Sequence, residues 1–184
     1  MLEMHLGVKK KSDGDVRFIE ELTNTQFTTY ANVSSLAGIS SGTFHNEGSG
    51  WLRFDYEGTE LIVAKKTIRH SISWNHINNA GCVFGSKVIA INGNQYKVRL
   101  LKGADHDPTQ FLTNNGYFLE GTHNSEWSRL FYPLVKDDTI LPPGIRNLNA
   151  PYTNRDLGTI TENGRRSWCQ ETHQSSAAHR VTRG

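Results

Sequence analysis

The clearest alternation of apolar and polar positions lies in KVIAINGNQYKVRLLKG, Lys87 to Gly103. Ile89 and Ile91 alternate into Asn92-Gly93. Tyr96, Val98 and Leu100 alternate out of it, with Lys97 and Arg99 on the other face. A period of two predicts strands. Asn-Gly tolerates the positive φ angles of a type I′ turn, so the segment predicts a β-hairpin. WLRFDYEGTELIVAKK, from Trp51, predicts two short strands around a turn at Glu57-Gly58-Thr59. Trp51, Phe54 and Tyr56 lead in, and Leu61, Ile62 and Val63 form a buried-type run. SISWNHINNAG predicts a short helix, with Ser73 as N-cap, Trp74 and Ile77 on one face and Gly81 as the stop. NSEWSRLFYPL predicts a second, with Trp127, Leu130 and Phe131 inward and Pro133 barring continuation. Long loops occupy 103–124 and 136–166, the latter holding Pro142-Pro143-Gly144.

The first fifty residues read differently. VRFIEELTN, Val16 to Asn24, suggests a short helix with Val16, Ile19 and Glu20 on one side. The next 26 residues, to Gly50, are rich in Ser, Thr, Gly and Asn, a composition that lies loose or is laid against something else. The organisation expected is an N-terminal assembly arm over residues 1–50 and an α+β domain over 51–184. Lys9, Lys10 and Lys11 are read as a solvated face.

Composition sharpens this outline. In 184 residues only 36% are apolar and 17 are Gly, so much of the chain is expected in turns and loops. A net charge of +2, from 20 basic and 18 acidic residues, gives no nucleic-acid footprint. No apolar run approaches the roughly 20 residues of a membrane span, and the first residues lack the basic-then-apolar order of a signal peptide. A soluble protein made in the cytoplasm is therefore expected. Cys82 and Cys169 stand outside any C-x-x-C pair. Two buried thiols are expected, although a single disulfide is arithmetically open. The histidines show no H-E-x-x-H spacing, and His70 and His76 are read as surface or cap residues. Asp105 with Asp107, and Asp137 with Asp138, are the calcium candidates, but calcium needs several oxygens converging on one point. No cofactor is expected.

Three segments, read together, carry a resemblance: ELIVAKKTIRHSISWNHINNAGCVFG, INGNQYKVRLLKG, and SEWSRLFYPL with the later RRSWCQET and HRVTRG. They resemble a family of bacteriophage and prophage virion proteins, tail or other structural components. Trp74, Tyr96, Arg99, Glu126, Trp127, Trp168, Cys169, Gln170, Glu171, Arg180 and Gly184 match that pattern over roughly 60–184. The last two motifs also resemble the end of the formylglycine-generating enzyme fold, a C-type-lectin-like architecture. The resemblance implies a C-type-lectin-like domain with short antiparallel strands. Likeness of fold does not transfer chemistry. That enzyme type needs a reactive cysteine pair, and no second thiol stands near Cys169 in sequence, so no catalytic residue is assigned.

The resemblance implies a non-enzymatic virion structural protein, from the tail, collar, fibre base or capsid decoration. Its expected partners are other virion proteins in a homo-oligomeric or multi-copy assembly. The alternative is a host-recognition module binding surface carbohydrate or protein, with Phe111, Tyr117, Phe118 and Tyr152 as its loop surface. Trp74, Arg99, Glu126, Trp127, Trp168, Cys169, Glu171 and Arg180 are expected to be structural. Arg99 or Arg180 would pair with Glu126 or Glu171 under the Trp127 and Trp168 rings, because buried charges need partners. In the resembling family the chain continues past Arg-Gly to a Trp-Arg-Pro strand. The edge that strand would cover is expected to be covered by a neighbouring subunit or rearranged.

Overall fold

The computed structural model describes residues 3–6, 16–45, 48–103, 111–112, 125–136, 149–157, 167–173 and 176–183. At 3–6, 111–112, 154–155, 167, 171–173 and 176–183 the description is of the backbone. The chain divides into two units, Met1–Leu100 and Leu101–Gly184.

The first unit is built on β1 (Glu3–Leu6), β2 (Val16–Leu22), α1 (Tyr30–Ala37), β3 (Thr43–Phe44), β4 (Trp51–Tyr56), β5 (Thr59–Ala64), β6 (Arg69–His70), α2 (Trp74–Asn79), β7 (Phe84–Ile91) and β8 (Asn94–Arg99). Six strands form one sheet in the order β2-β4-β5-β1-β8-β7, and every neighbouring pair is antiparallel. Two-residue turns close its two hairpins. Glu57 and Gly58 stand at φ 52° and 75°, Asn92 and Gly93 at 50° and 82°. Both residues positive is the type I′ signature, whose twist matches that of the strands. β1 lies between the hairpins, with Met4 opposite Ile62 on one side and Val98 on the other.

Trp51 is the hub of the packing. Its ring meets Tyr30 edge-on at 4.9 Å and Phe27 at 5.2 Å, and Phe27 meets Tyr96 at 5.3 Å. The polar ends of these rings are satisfied inside the core, as buried Tyr and Trp require. Trp51 Nε1–H donates to the Thr28 carbonyl at 2.7 Å, and the Tyr30 hydroxyl to the Gly50 carbonyl at 2.7 Å. On the inner strands both faces are buried: Trp51 and Ala64 on one, Leu52, Phe54, Leu61 and Val63 on the other. That is why the sequence there reads as a continuous apolar run rather than an alternation.

Two expectations for the first fifty residues are overturned locally. Val16–Leu22 is a strand, not a helix. Val16, Phe18, Glu20 and Leu22 are half-buried and alternate with exposed Arg17, Ile19 and Glu21. Glu20 hid this period because it is an acid on the inner side, where Arg53 of β4 meets it at 2.9 Å. The Ser/Thr-rich stretch holds α1, capped by Thr29, whose side chain accepts the Asn32 N–H, and ended by Gly38 at φ 76°. It buries Tyr30, Val33, Ser34 and Ala37. Four elements within the expected assembly arm, β1, β2, α1 and β3, are thus part of the first unit, which runs to Leu100. Lys9, Lys10 and Lys11 lie outside the described residues.

The helix expected after Ser73 is α2. Ser73 accepts the His76 N–H, Trp74 and Ile77 are buried, and Gly81 follows at φ 74°.

The second unit contains β9 (Phe111–Leu112), α3 (Glu126–Phe131) running into a 3-10 turn over Tyr132–Leu134, α4 (Asn154–Leu157), β10 (Ser167–His173) and β11 (Ser176–Arg183). Pro133 sits in the 3-10 turn, where its missing N–H costs nothing. β10 and β11 pair antiparallel, and β9 joins β10 in parallel. The fold class is therefore α+β, with few short helices and mainly antiparallel strands. Among the described residues no helix is long and apolar enough to cross a membrane.

Candidate functional site

In the second unit two elements, α3 and β10, converge on the short segment Leu101–Lys102. The Leu101 carbonyl accepts the Gln170 N–H of β10 at 3.1 Å. The Lys102 carbonyl accepts the Trp127 N–H at 3.0 Å, and the Lys102 N–H donates to Glu126 Oε2 at 2.9 Å. Ser125 caps α3 by accepting the Ser128 N–H at 3.2 Å, which fixes the helix start against this segment. Glu126, Gln170, Cys169 and Leu101 are all buried. The Trp127 ring packs at 5.2 Å from Phe131 and 5.8 Å from Tyr132. Among the described residues its buried indole N–H has no hydrogen-bond partner, an arrangement that typically costs about 1–3 kcal/mol.

In the first unit the polar side chains are also tied down. Arg53 Nη2 meets Glu60 at 2.7 Å and Nη1 meets Glu20 at 2.9 Å. The Glu60 hydrogen bond first, then that of Glu20, holds the guanidinium more firmly protonated than usual. Burial, assisted by Glu60, raises the Tyr96 phenol above its ordinary range. Arg69 Nη1 donates to the carbonyls of Ser41 at 3.0 Å and Gly42 at 2.9 Å, and its guanidinium lies 3.7 Å over the Phe44 ring. Burial pulls its pKa down. The His70 ring stands 5.6 Å from that of His45. In sequence, Arg69 and Phe44 carry no signal beyond a lone cation between two loops.

Cys82 is fully buried and its thiol donates to the Ala80 carbonyl at 3.5 Å. Burial, opposed by Lys87, pushes its pKa up to about 11, so at neutral pH it is a protonated thiol and a poor nucleophile. Cys169 is likewise buried, and both cysteines are free. The two-thiol expectation holds, and no disulfide joins them.

One surface of the first unit is exposed and apolar. On β7, Phe84 and Val88 are 42% and 47% exposed. Phe84 stands opposite Arg99 and Val88 opposite Lys97 on β8, so all four side chains share one face. Lys97 is exposed and Arg99 half-buried. Trp74 supports Phe84 edge-on at 6.0 Å.

Of the residues singled out in the sequence, Trp74, Glu126, Trp127 and Cys169 are buried. Arg99 donates to the Leu100 carbonyl at 3.1 Å, and Trp168 is half-buried. Tyr152 is half-buried and bridges by backbone to Val135, with its N–H on the Leu134 carbonyl at 3.1 Å. Glu171 and Arg180 lie on β10 and β11, and Phe111 on β9, described by backbone only. Tyr117, Phe118, Gly184 and the calcium candidates Asp105, Asp107, Asp137 and Asp138 lie outside the described residues. Among the described residues no group of three or more His, Cys, Asp or Glu is placed to hold a metal ion.

No protein family, curated protein or solved structure matches this chain.

Proposed function

We propose that this chain is a non-catalytic structural component of a bacteriophage particle, working through assembly with other virion proteins. The observation that carries the structural part is the use made of the motif residues. Trp74, Glu126, Trp127 and Cys169 are buried in packing, and Glu126 spends its carboxylate on a backbone N–H. Residues that hold a fold together serve a scaffold, whereas reactive groups need access and a shifted pKa toward the active form. The virion part rests on the resemblance carried by the ordered motifs from Glu60 to Gly184. The C-type-lectin-like reading, expected over 51–184, draws its support from the β10–β11 hairpin and the capped helix α3.

The test is gradient purification of particles produced from the genome that encodes the chain, followed by immunogold labelling. Label at a repeated position on intact particles is expected. Recovery of the protein wholly outside the particles would overturn the proposal.

A further inference from the structure

The free edge of β7 is the feature with most left to explain. β7 is the last strand in the order of its sheet. The two-residue turn at Asn92-Gly93 makes Ile91 and Asn94 a hydrogen-bonded pair, and Ile89 with Tyr96 the next. Val88 and Ala90 therefore aim their N–H and C=O groups away from β8, and among the described residues nothing receives them. Lys87 differs, because its N–H is taken by the Gly81 carbonyl at 2.9 Å. That loop contact ends the open stretch, and among the described residues the outward groups of Val88 and Ala90 stay open. The device that usually protects such an edge, a charge or proline on the strand itself, is missing at 88–91, which read Val-Ile-Ala-Ile.

Charge says what would sit there. Between Glu60 and Asp105 the sequence holds no acidic residue. Lys97 and Arg99 share a face with Val88 and Phe84, and Lys87 stands on the edge strand itself. A second β7 would bring cations to cations. An extended segment carrying carboxylates would instead pair its backbone with Val88 and Ala90 while an acid met Lys97, one strand away. Its alternate, apolar residues would lie on the opposite face, beside the buried Ile89 and Ile91. Strand addition of this kind draws affinity from main-chain bonds and selectivity from alternate side chains.

We propose that the β7 edge binds an extended acidic polypeptide segment of a partner protein by strand addition, through the backbone of Val88 and Ala90 and the charge of Lys97. The proposal does not depend on the particle assignment.

The probe is the blocked peptide acetyl-Thr-Glu-Val-Glu-Val-Glu-Thr-amide, compared with its counterpart carrying Lys for Glu. Binding to the full chain is measured by fluorescence anisotropy, and amide exchange by NMR. The Glu peptide is expected to bind at least about tenfold tighter than the Lys peptide, weakening with salt as charge steering requires. The Val88 and Ala90 amides are expected to slow in exchange on binding. Lys97→Glu should reverse the peptide preference. Ala90→Pro removes only an outward N–H, which edge strands tolerate, and should abolish binding. Equal binding of the two peptides, or protection that leaves Val88 and Ala90 unchanged, would overturn the proposal. So would concentration-dependent dimerisation of the protein alone that Ala90→Pro abolishes, because it would assign the edge to a second copy.

Discussion

The backbone of Lys102 is held from both ends by α3: its N–H donates to the Glu126 carboxylate at 2.9 Å, and its carbonyl accepts the Trp127 N–H at 3.0 Å. Glu126→Ala leaves the Lys102 amide without this acceptor and should cost about 1–3 kcal/mol in urea unfolding. Glu126→Gln keeps an acceptor oxygen and should cost less than half as much. The contrast also tests the ion pair expected from the sequence. If charge on Glu126 were what mattered, Gln would be as costly as Ala.

Tyr30 joins α1 to the sheet. Its hydroxyl donates to the Gly50 carbonyl and accepts the Lys66 N–H at 3.2 Å. Gly50 keeps a second donor, the Lys65 N–H at 3.2 Å, so Tyr30→Phe strands mainly Lys66. A loss of about 1 kcal/mol is expected, read as a lower denaturation midpoint with an unchanged m-value. An unchanged midpoint would mean that ring packing alone seats the helix.

Gly93 offers a clean measurement of backbone cost. Its φ is 82°, and a Cβ there would meet nothing within 4 Å. Gly93→Ala should therefore lose about 1–2 kcal/mol from the left-handed conformation alone. Gly48 has equal space and no positive φ, so Gly48→Ala should be neutral or slightly stabilising. Equal effects at the two sites would refute the turn argument.

Cys82 gives a dependence on pH. Burial raises its thiol from 9.0 to about 11. Between these values the unfolded chain loses the proton and the folded chain keeps it, so the unfolded state binds fewer protons and stability falls as pH rises. Below pH 9 the contribution is complete. Cys82→Ala should flatten the decline between pH 9 and 11, measured by thermal unfolding across that range. The same burial predicts slow reaction of Cys82 with a thiol reagent at pH 8 until denaturant is added.

The local elements most legible in the sequence were those with a chemical punctuation mark. Asn92-Gly93 announced its hairpin, Ser73 and Gly81 bracketed α2, and Pro133 marked the turn after α3. β2 was misread because Glu20 occupies an inward position and looks polar until Arg53, 33 residues away, supplies its partner. α1 was missed because two of its four buried positions are the small Ser34 and Ala37, which carry little periodic signal. β1 could not be seen at all: four residues, EMHL, are too few to show a period. At the candidate sites, burial of Trp74 and Trp127 was legible from helical spacing. The backbone partner of Glu126 was not, since hydrogen bonds to main chain leave no mark in sequence.

The central place of β1 governs the order of events in folding. The set β2-β4-β5 and the hairpin β8-β7 are joined in the sheet through β1 alone. Each half can form from neighbours in sequence, but the two become one sheet only when Glu3 has Val63 on one side and Arg99 on the other. During synthesis β1 waits for β8, the last-made strand of its own sheet, and such distant pairing is slow. Until β1 docks, β5 and β8 each present an unpaired edge. The interval before docking is when this chain is most exposed to aggregation.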